Sequence, residues 1–125
     1  MKILGHGIDM ASAARLGEAL SRASFESRVF SAGEIAYCRK KKDPFPSFAA
    51  RFAAKEAYGK ALGLGLGPSG DFAEIEVVHN EKGAPAIRLS GRALELFREA
   101  GGGEIFLSLS HEGDIAIASV IITRA

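Results

Sequence analysis

Apolar residues interleaved with glycine occupy residues 2–10, KILGHGIDM, a composition that fits a buried strand and delivers Asp9 at its carboxyl end. Ser12 is placed to cap a helix running to about residue 22, with Leu16 and Leu20 on one face and Arg15 and Arg22 on another, basic one. Ser31 and Glu34 form an S-x-x-E capping box before Ile35, which predicts a second helix running toward the lysines at 40–42, with Pro44 and Pro46 to stop it. An alanine-rich helix is predicted over residues 47–62, ended by Gly63. The following GLGLGPSG comes after a helix rather than a strand, which is the wrong context for a dinucleotide fingerprint, and reads as a flexible connector. Residues 73–79 and 85–89 read as strands about a turn at 80–83, and Ser90 as the cap of a helix that stops at the glycines 101–103. In EIFLSLS, Ile105, Leu107 and Leu109 alternate with Phe106, Ser108 and Ser110, and IAIASVII resumes a strand after the polar HEGD turn. The expected architecture is one α+β domain over residues 1–125, an antiparallel sheet packed with helices and without internal repeats.

Two acids and a histidine stand out against this pattern. Glu56 continues the helical line of Phe48 and Phe52. It can pair with Lys60 one turn on, worth about 0.2–0.5 kcal/mol when exposed. Alternatively it joins Asp9 as an oxygen ligand to Mg²⁺, leaving positions for phosphate and water. His111, at a strand end beside Ser108 and Ser110, is either a solvated turn residue or a phosphate donor and acid–base group near neutral pH. Arg51, Lys55 and Lys60 line parts of one helix and can surround a multiply charged phosphate, although Lys55 fits better as a solvated surface residue. No G-x-S-x-G elbow is present to present a hydrolase serine.

Composition narrows the classes. A net charge of +1 over 125 residues excludes the overall basic character of a dedicated nucleic-acid binder, but Arg15, Arg22 and Arg28 with Phe25 form a local basic patch that suits either an acidic protein helix or a nucleic-acid backbone. One cysteine, Cys38, has no internal disulfide partner and suits a reducing compartment. Residues 1–8 lack a signal-peptide run, and nothing approaches the roughly 20 apolar residues that span a bilayer, so a soluble cytoplasmic protein is expected.

Four blocks carry a resemblance. G-I-D at residues 7–9 followed by Arg15, RFAAKEAYGKALG at 51–63, NEKGAP at 80–85 and SLSHEGDIAIA at 108–118 resemble, in order and spacing, the small bacterial holo-acyl-carrier-protein synthases, a type of 4′-phosphopantetheinyl transferase. The resemblance implies the 4′-phosphopantetheinyl transferase fold as a single half-size unit. It implies transfer of 4′-phosphopantetheine from coenzyme A to a serine of an apo acyl carrier protein, in support of fatty acid biosynthesis. It implies Mg²⁺ at Asp9 and Glu56, catalytic roles for Glu56, Lys60 and His111, and coenzyme A contacts from Arg51, Lys60, His111, Gly83 and Pro85. It further implies carrier docking at Arg15, Arg22, Phe25 and Arg28, and a homotrimer with sites between subunits. Neither nucleic acid nor membrane is expected as a partner. The stretch from Arg22 to Arg28 departs from the family pattern, with fewer basic residues and a small length change. The alternative is a non-catalytic adaptor that binds acidic proteins through the basic first helix, with Asp9 and Glu56 merely paired to lysine or arginine.

Overall fold

The computed structural model describes residues 2–65 and 67–125; Leu66, in the connector expected at 63–70, lies outside the described residues. Strand β1 (Ile3–Ser12) is followed by helices α1 (Ala13–Leu20), α2 (Phe25–Val29), α3 (Ala32–Arg39) and α4 (Phe45–Leu62). A 3₁₀ turn (Phe72–Glu74), strands β2 (Ile75–His79) and β3 (Pro85–Leu89), helix α5 (Gly91–Glu99) and strands β4 (Gly102–Glu112) and β5 (Ile115–Arg124) complete the chain. The strands form two antiparallel sheets, β1-β5-β4 and the separate hairpin β2-β3.

Helix α4 is the axis of the fold. Its alanines Ala49, Ala53, Ala54, Ala57 and Ala61 are all buried against the inner face of the larger sheet, where Ala116, Ala118, Val120 and Ile122 of β5 meet them. Small side chains on both surfaces let helix and sheet approach closely while Phe30, Phe48 and Tyr58 fill the space at the sides. Pro46 does not stop the preceding helix as expected. It sits in the first turn of α4, where the missing N–H leaves no bond unmade, so α4 begins two residues before the expected start. Gly63 closes it in the left-handed conformation at φ 84°, donating to the carbonyls of Gly59 and Lys60.

The caps were readable in part. Ser12 accepts from the Arg15 N–H, and the Ser31–Glu34 capping box is present. Ser90, by contrast, makes no capping bond. The Glu74 carboxylate takes its place, accepting from the N–H groups of Arg92 and Ala93 at 3.1 Å each, and residues 73 and 74 belong to the 3₁₀ turn rather than to a strand.

The alternation in β4 sorts as expected: Ile105, Leu107 and Leu109 pack on the core while Phe106 is 47% exposed on the outer face. That outer face also exposes Ile8, Met10 and Ile115.

Candidate active site

Backbone contact positions the first group of side chains. A Cβ at Gly5 would lie 1.7 Å from the Ala61 carbonyl oxygen, and one at Gly7 2.0 Å from that of Ala57. Only glycine allows this approach of strand to helix. Asp9, next on the same face of β1, is thereby set beside the last turns of α4. Lys60 Nζ donates to Asp9 Oδ1 at 2.9 Å and to the Ile8 carbonyl at 3.0 Å. Glu56, half-buried, has no ion-pair or hydrogen-bond partner among the described residues. The pairing of Glu56 with Lys60 considered from the sequence is therefore not the one formed; Lys60 turns to Asp9, 51 residues away in the chain. Loss of water, then the Asp9 charge, raise the Glu56 carboxyl above its ordinary range, with Lys60 opposing. Two carboxylates on rigid elements, one without a protein partner, form a hard-oxygen donor set that fits Mg²⁺. Among the described residues no cluster of three or more His, Cys, Asp and Glu converges as a full metal cage.

The second group lies at the opposite edge of the sheet. His111 is in register with Ala116, which pairs with Ala11, while Asp9 pairs with Ala118. Two strand spacings and two residues of stagger put Asp9 and His111 about 12 Å apart at Cα. Arg51 and Glu56, five residues apart on α4, point about 140° from each other. Arg51 and His111 share a cavity of ≈ 250 Å³ with Tyr37, Ser47 and His79. The Arg51 side chain is 3% exposed, donates through Nη1 to the Ser47 carbonyl at 3.3 Å, lies 4.1 Å from the Tyr37 ring centroid and leaves its Nε unpartnered. A guanidinium beside a cavity places a fixed positive charge where an anion could be received, although its unpartnered Nε is itself buried. Pro85 pairs with His79 across the hairpin, so the Gly83 turn adjoins this edge. His79 is exposed but stacks one ring face on Tyr37 at 4.7 Å; desolvation, then Arg51 and Lys41, hold it below the ordinary imidazole range.

Among the residues of the basic patch, Arg15, Arg22 and Arg28 are exposed, but they do not meet in one place. Arg15 borders Met10, Asp114 and Ile115; Arg28 borders Asp71 and Glu74. Arg22 lies over the Phe25 ring at 5.8 Å, and Phe25 itself packs edge-on to Phe30 in the core. Lys55 departs from its expected solvated place altogether: it is 0% exposed and donates to Glu34 Oε1, the Phe72 carbonyl and the Ile75 carbonyl at 2.8, 2.8 and 2.6 Å. Tyr37 and His79 were missed from the sequence. His79 stands at a strand end before a glycine turn, the signal that had singled out His111. Cys38 is buried, and desolvation pushes its thiol up to about 11, with Arg51 opposing, which makes it a packing residue.

Comparison with known proteins follows the same elements. The family model of the 4′-phosphopantetheinyl transferase superfamily matches residues 5–119, a span that contains Asp9, Arg51, Glu56, Lys60 and His111. A holo-[acyl-carrier-protein] synthase of Geobacter sp. (strain M21) is 43% identical over 124 residues, covering 98% of this chain and 99% of its own. The crystal structure of the holo-[acyl-carrier-protein] synthase from Neisseria meningitidis matches with a TM-score of 0.88 at 29% identity, over 98% of this chain and 99% of that one. The Helicobacter pylori holo-[acyl-carrier-protein] synthase, crystallised in complex with coenzyme A, matches with a TM-score of 0.83 at 35% identity, over 94% and 99%. A sequence match of this extent, on a fold that superposes from end to end, means that the chain belongs to the 4′-phosphopantetheinyl transferase superfamily, within its holo-acyl-carrier-protein synthase family.

Proposed function

We propose that this chain, acting as one domain over residues 1–125, transfers 4′-phosphopantetheine from coenzyme A to a serine of an apo acyl carrier protein, giving the holo carrier and adenosine 3′,5′-bisphosphate in support of cytoplasmic fatty acid biosynthesis. The observation that carries it is Glu56: a half-buried carboxylate with no protein partner among the described residues, set beside Asp9 in a chain matched to holo-[acyl-carrier-protein] synthases along 98% of its length. The adaptor alternative accounts for Asp9, which is paired to Lys60, but gives Glu56 no partner.

Asp9 and Glu56 would hold Mg²⁺. When bound, that ion supplies charge neutralisation and polarisation at the pyrophosphate. The chain's own residues carry the rest. Glu56 accepts the carrier serine proton, directly or through a water, as the oxygen attacks the β-phosphorus. The serine oxygen–phosphorus bond forms while the bond from that phosphorus to the bridging oxygen breaks. The leaving bisphosphate takes the electron pair on its α-phosphate oxygen, where Lys60 and His111 offset the developing charge. Arg51, in the wall of the cavity it shares with His111, would attract a phosphate by its charge, and Gly83 and Pro85 take the adenine side. Arg15, Arg22 and Arg28, exposed at separate points along the α1–α2 region, would each meet the acidic carrier, with Phe25 held against the core beneath Arg22.

The two edges support a homotrimer with shared sites. Asp9, Glu56 and Lys60 of one copy would face Arg51 and His111 of the next, and the exposed Ile8, Met10, Phe106 and Ile115 provide an apolar face for the contact.

The test is intact-mass spectrometry of apo acyl carrier protein incubated with the protein and coenzyme A, with Mg²⁺ or a chelator. A gain of about 340 Da, the mass of the transferred group, is expected only with metal. Glu56→Gln and Asp9→Asn should each lower turnover by about 10²–10³-fold or more. Full activity in either variant, or no mass gain from the folded protein, overturns the reading.

A further inference from the structure

We propose that the buried Lys55–Glu34 pair is a positioning device that sets the β2–β3 hairpin against α4 and so fixes the width of the cleft for the adenine end of coenzyme A. This rests on the proposed function above. The hairpin forms a sheet of its own, with no backbone ladder to the β1-β5-β4 sheet. Its placement therefore depends on side chains. Lys55 Nζ spends all its donors on it and its anchor: the carbonyls of Phe72 and Ile75, at the hairpin entrance, and Glu34 Oε1 on α3. Glu34 completes the connection by accepting from the Val77 N–H at 2.8 Å through Oε2 and from the Ser31 N–H at 3.0 Å through Oε1. Ser31 in turn donates to Glu76 at 2.6 Å.

Both side chains of the ion pair are 0% exposed, so no substrate reaches them. An apolar pair of similar volume often stabilises a fold as well or better, so the contribution proposed for this pair is one fixed arrangement rather than stability. Here the arrangement has a definite output. Lys55 lies one turn from Arg51 on α4, and the Ile75 carbonyl it holds lies four residues before His79, which faces Arg51 across the cavity. Beyond His79 come Gly83 and Pro85. A shift of the hairpin relative to α4 changes the gap between Arg51 and these residues, without moving Asp9, Glu56 or Lys60, which depend on β1.

The experiment is the charge-free double variant Glu34→Gln/Lys55→Met, assayed beside the wild type for transfer and by native-state hydrogen exchange. Expected are a KM for coenzyme A raised about tenfold or more, with kcat within about threefold and the carrier KM within about twofold, because one end of one substrate is misplaced. The hairpin amides, Val77 first, should exchange faster while those of α4 keep their protection. Glu34→Asp, which keeps a carboxylate for Lys55 but is too short to hold Lys55 and the Val77 N–H together, covers the case in which the double variant does not fold, and should raise the same KM. An unchanged coenzyme A KM, equal losses in kcat and both KM terms, or unchanged exchange overturns the positioning role. An inactive wild type with the exchange pattern intact overturns the transferase reading instead and leaves the hairpin lock standing.

Discussion

At the β1 edge, α4 lies backbone to backbone on Gly5 and Gly7, and Asp9, Glu56 and Lys60 follow from that contact. At the β4 edge, Arg51, His111, Tyr37 and His79 come from separate elements and line a cavity of ≈ 250 Å³, where Tyr37 stacks with Arg51 and His79. The first edge is fixed by sterics that tolerate no added atom, the second by side-chain bonds and stacking that a small hairpin movement can alter. The two carboxylates sit on the stiff edge, and the buried guanidinium and the two histidines on the adjustable one. Reacting atoms need sub-ångström placement, whereas a phosphate can be met by long, basic side chains.

The largest effect should come from mixing. Glu56→Gln and His111→Ala chains, each strongly impaired alone, should regain activity when unfolded and refolded together. Half of the chains carry each intact residue, so random assembly makes about a quarter of the intersubunit sites complete in a closed trimer. No recovery, measured as turnover per chain, would place both edges of the site in one subunit. Next in size, Gly7→Ala should destabilise the fold by about 3 kcal/mol, read as the urea midpoint, because the methyl meets helix backbone that cannot yield. The surviving folded fraction should lose kcat rather than coenzyme A affinity; the reverse would assign the adjustable role to β1. The smallest effect concerns His79. Its folded pKa is lowered, so between that value and the ordinary 6.5 the unfolded chain binds more protons, and stability rises with pH across this window and is lost on acidification. His79→Gln should flatten that slope in pH-dependent melting; an unaltered slope would leave the stacking on Tyr37 without electrostatic consequence.

The stiff edge was readable from the sequence further than the adjustable one. Local signals gave the Ser12 cap, the Ser31–Glu34 box and the Gly63 stop, because each acts over a few residues. Glu34 shows the limit. Its capping role follows from a three-residue spacing, but its hold on Lys55 and Val77 spans 21 and 43 residues, and no local pattern distinguishes it from an ordinary cap. Lys55 misled for the same reason: a lysine among alanines looks solvated until the carbonyls of Phe72 and Ile75 are placed over it. The cap of α5 was assigned to Ser90 by position, when the carboxylate of Glu74 reaches the same N–H groups from another element. Asp9 and Glu56 were singled out as a pair, yet the partner of Asp9 was not, since competition for Lys60 depends on how closely α4 settles on the two glycines.

The ladder of β1 has a consequence in time. The pairing partner of this strand is β5, from Ile3 with Thr123 to Ser12 with Ile115, so the first of the described strands is matched with the last of them. Asp9 is synthesised roughly 100 residues before Ala118, an interval of about 5–20 s on a bacterial ribosome at ordinary elongation rates. Throughout that interval a strand rich in glycine has no ladder to hold it and α4 no finished sheet to rest on. The nascent chain can form its helices and set β1 against α4 early, but the strand is locked in its ladder only once β5 is made, and a chain interrupted before then is left with an unpaired apolar strand.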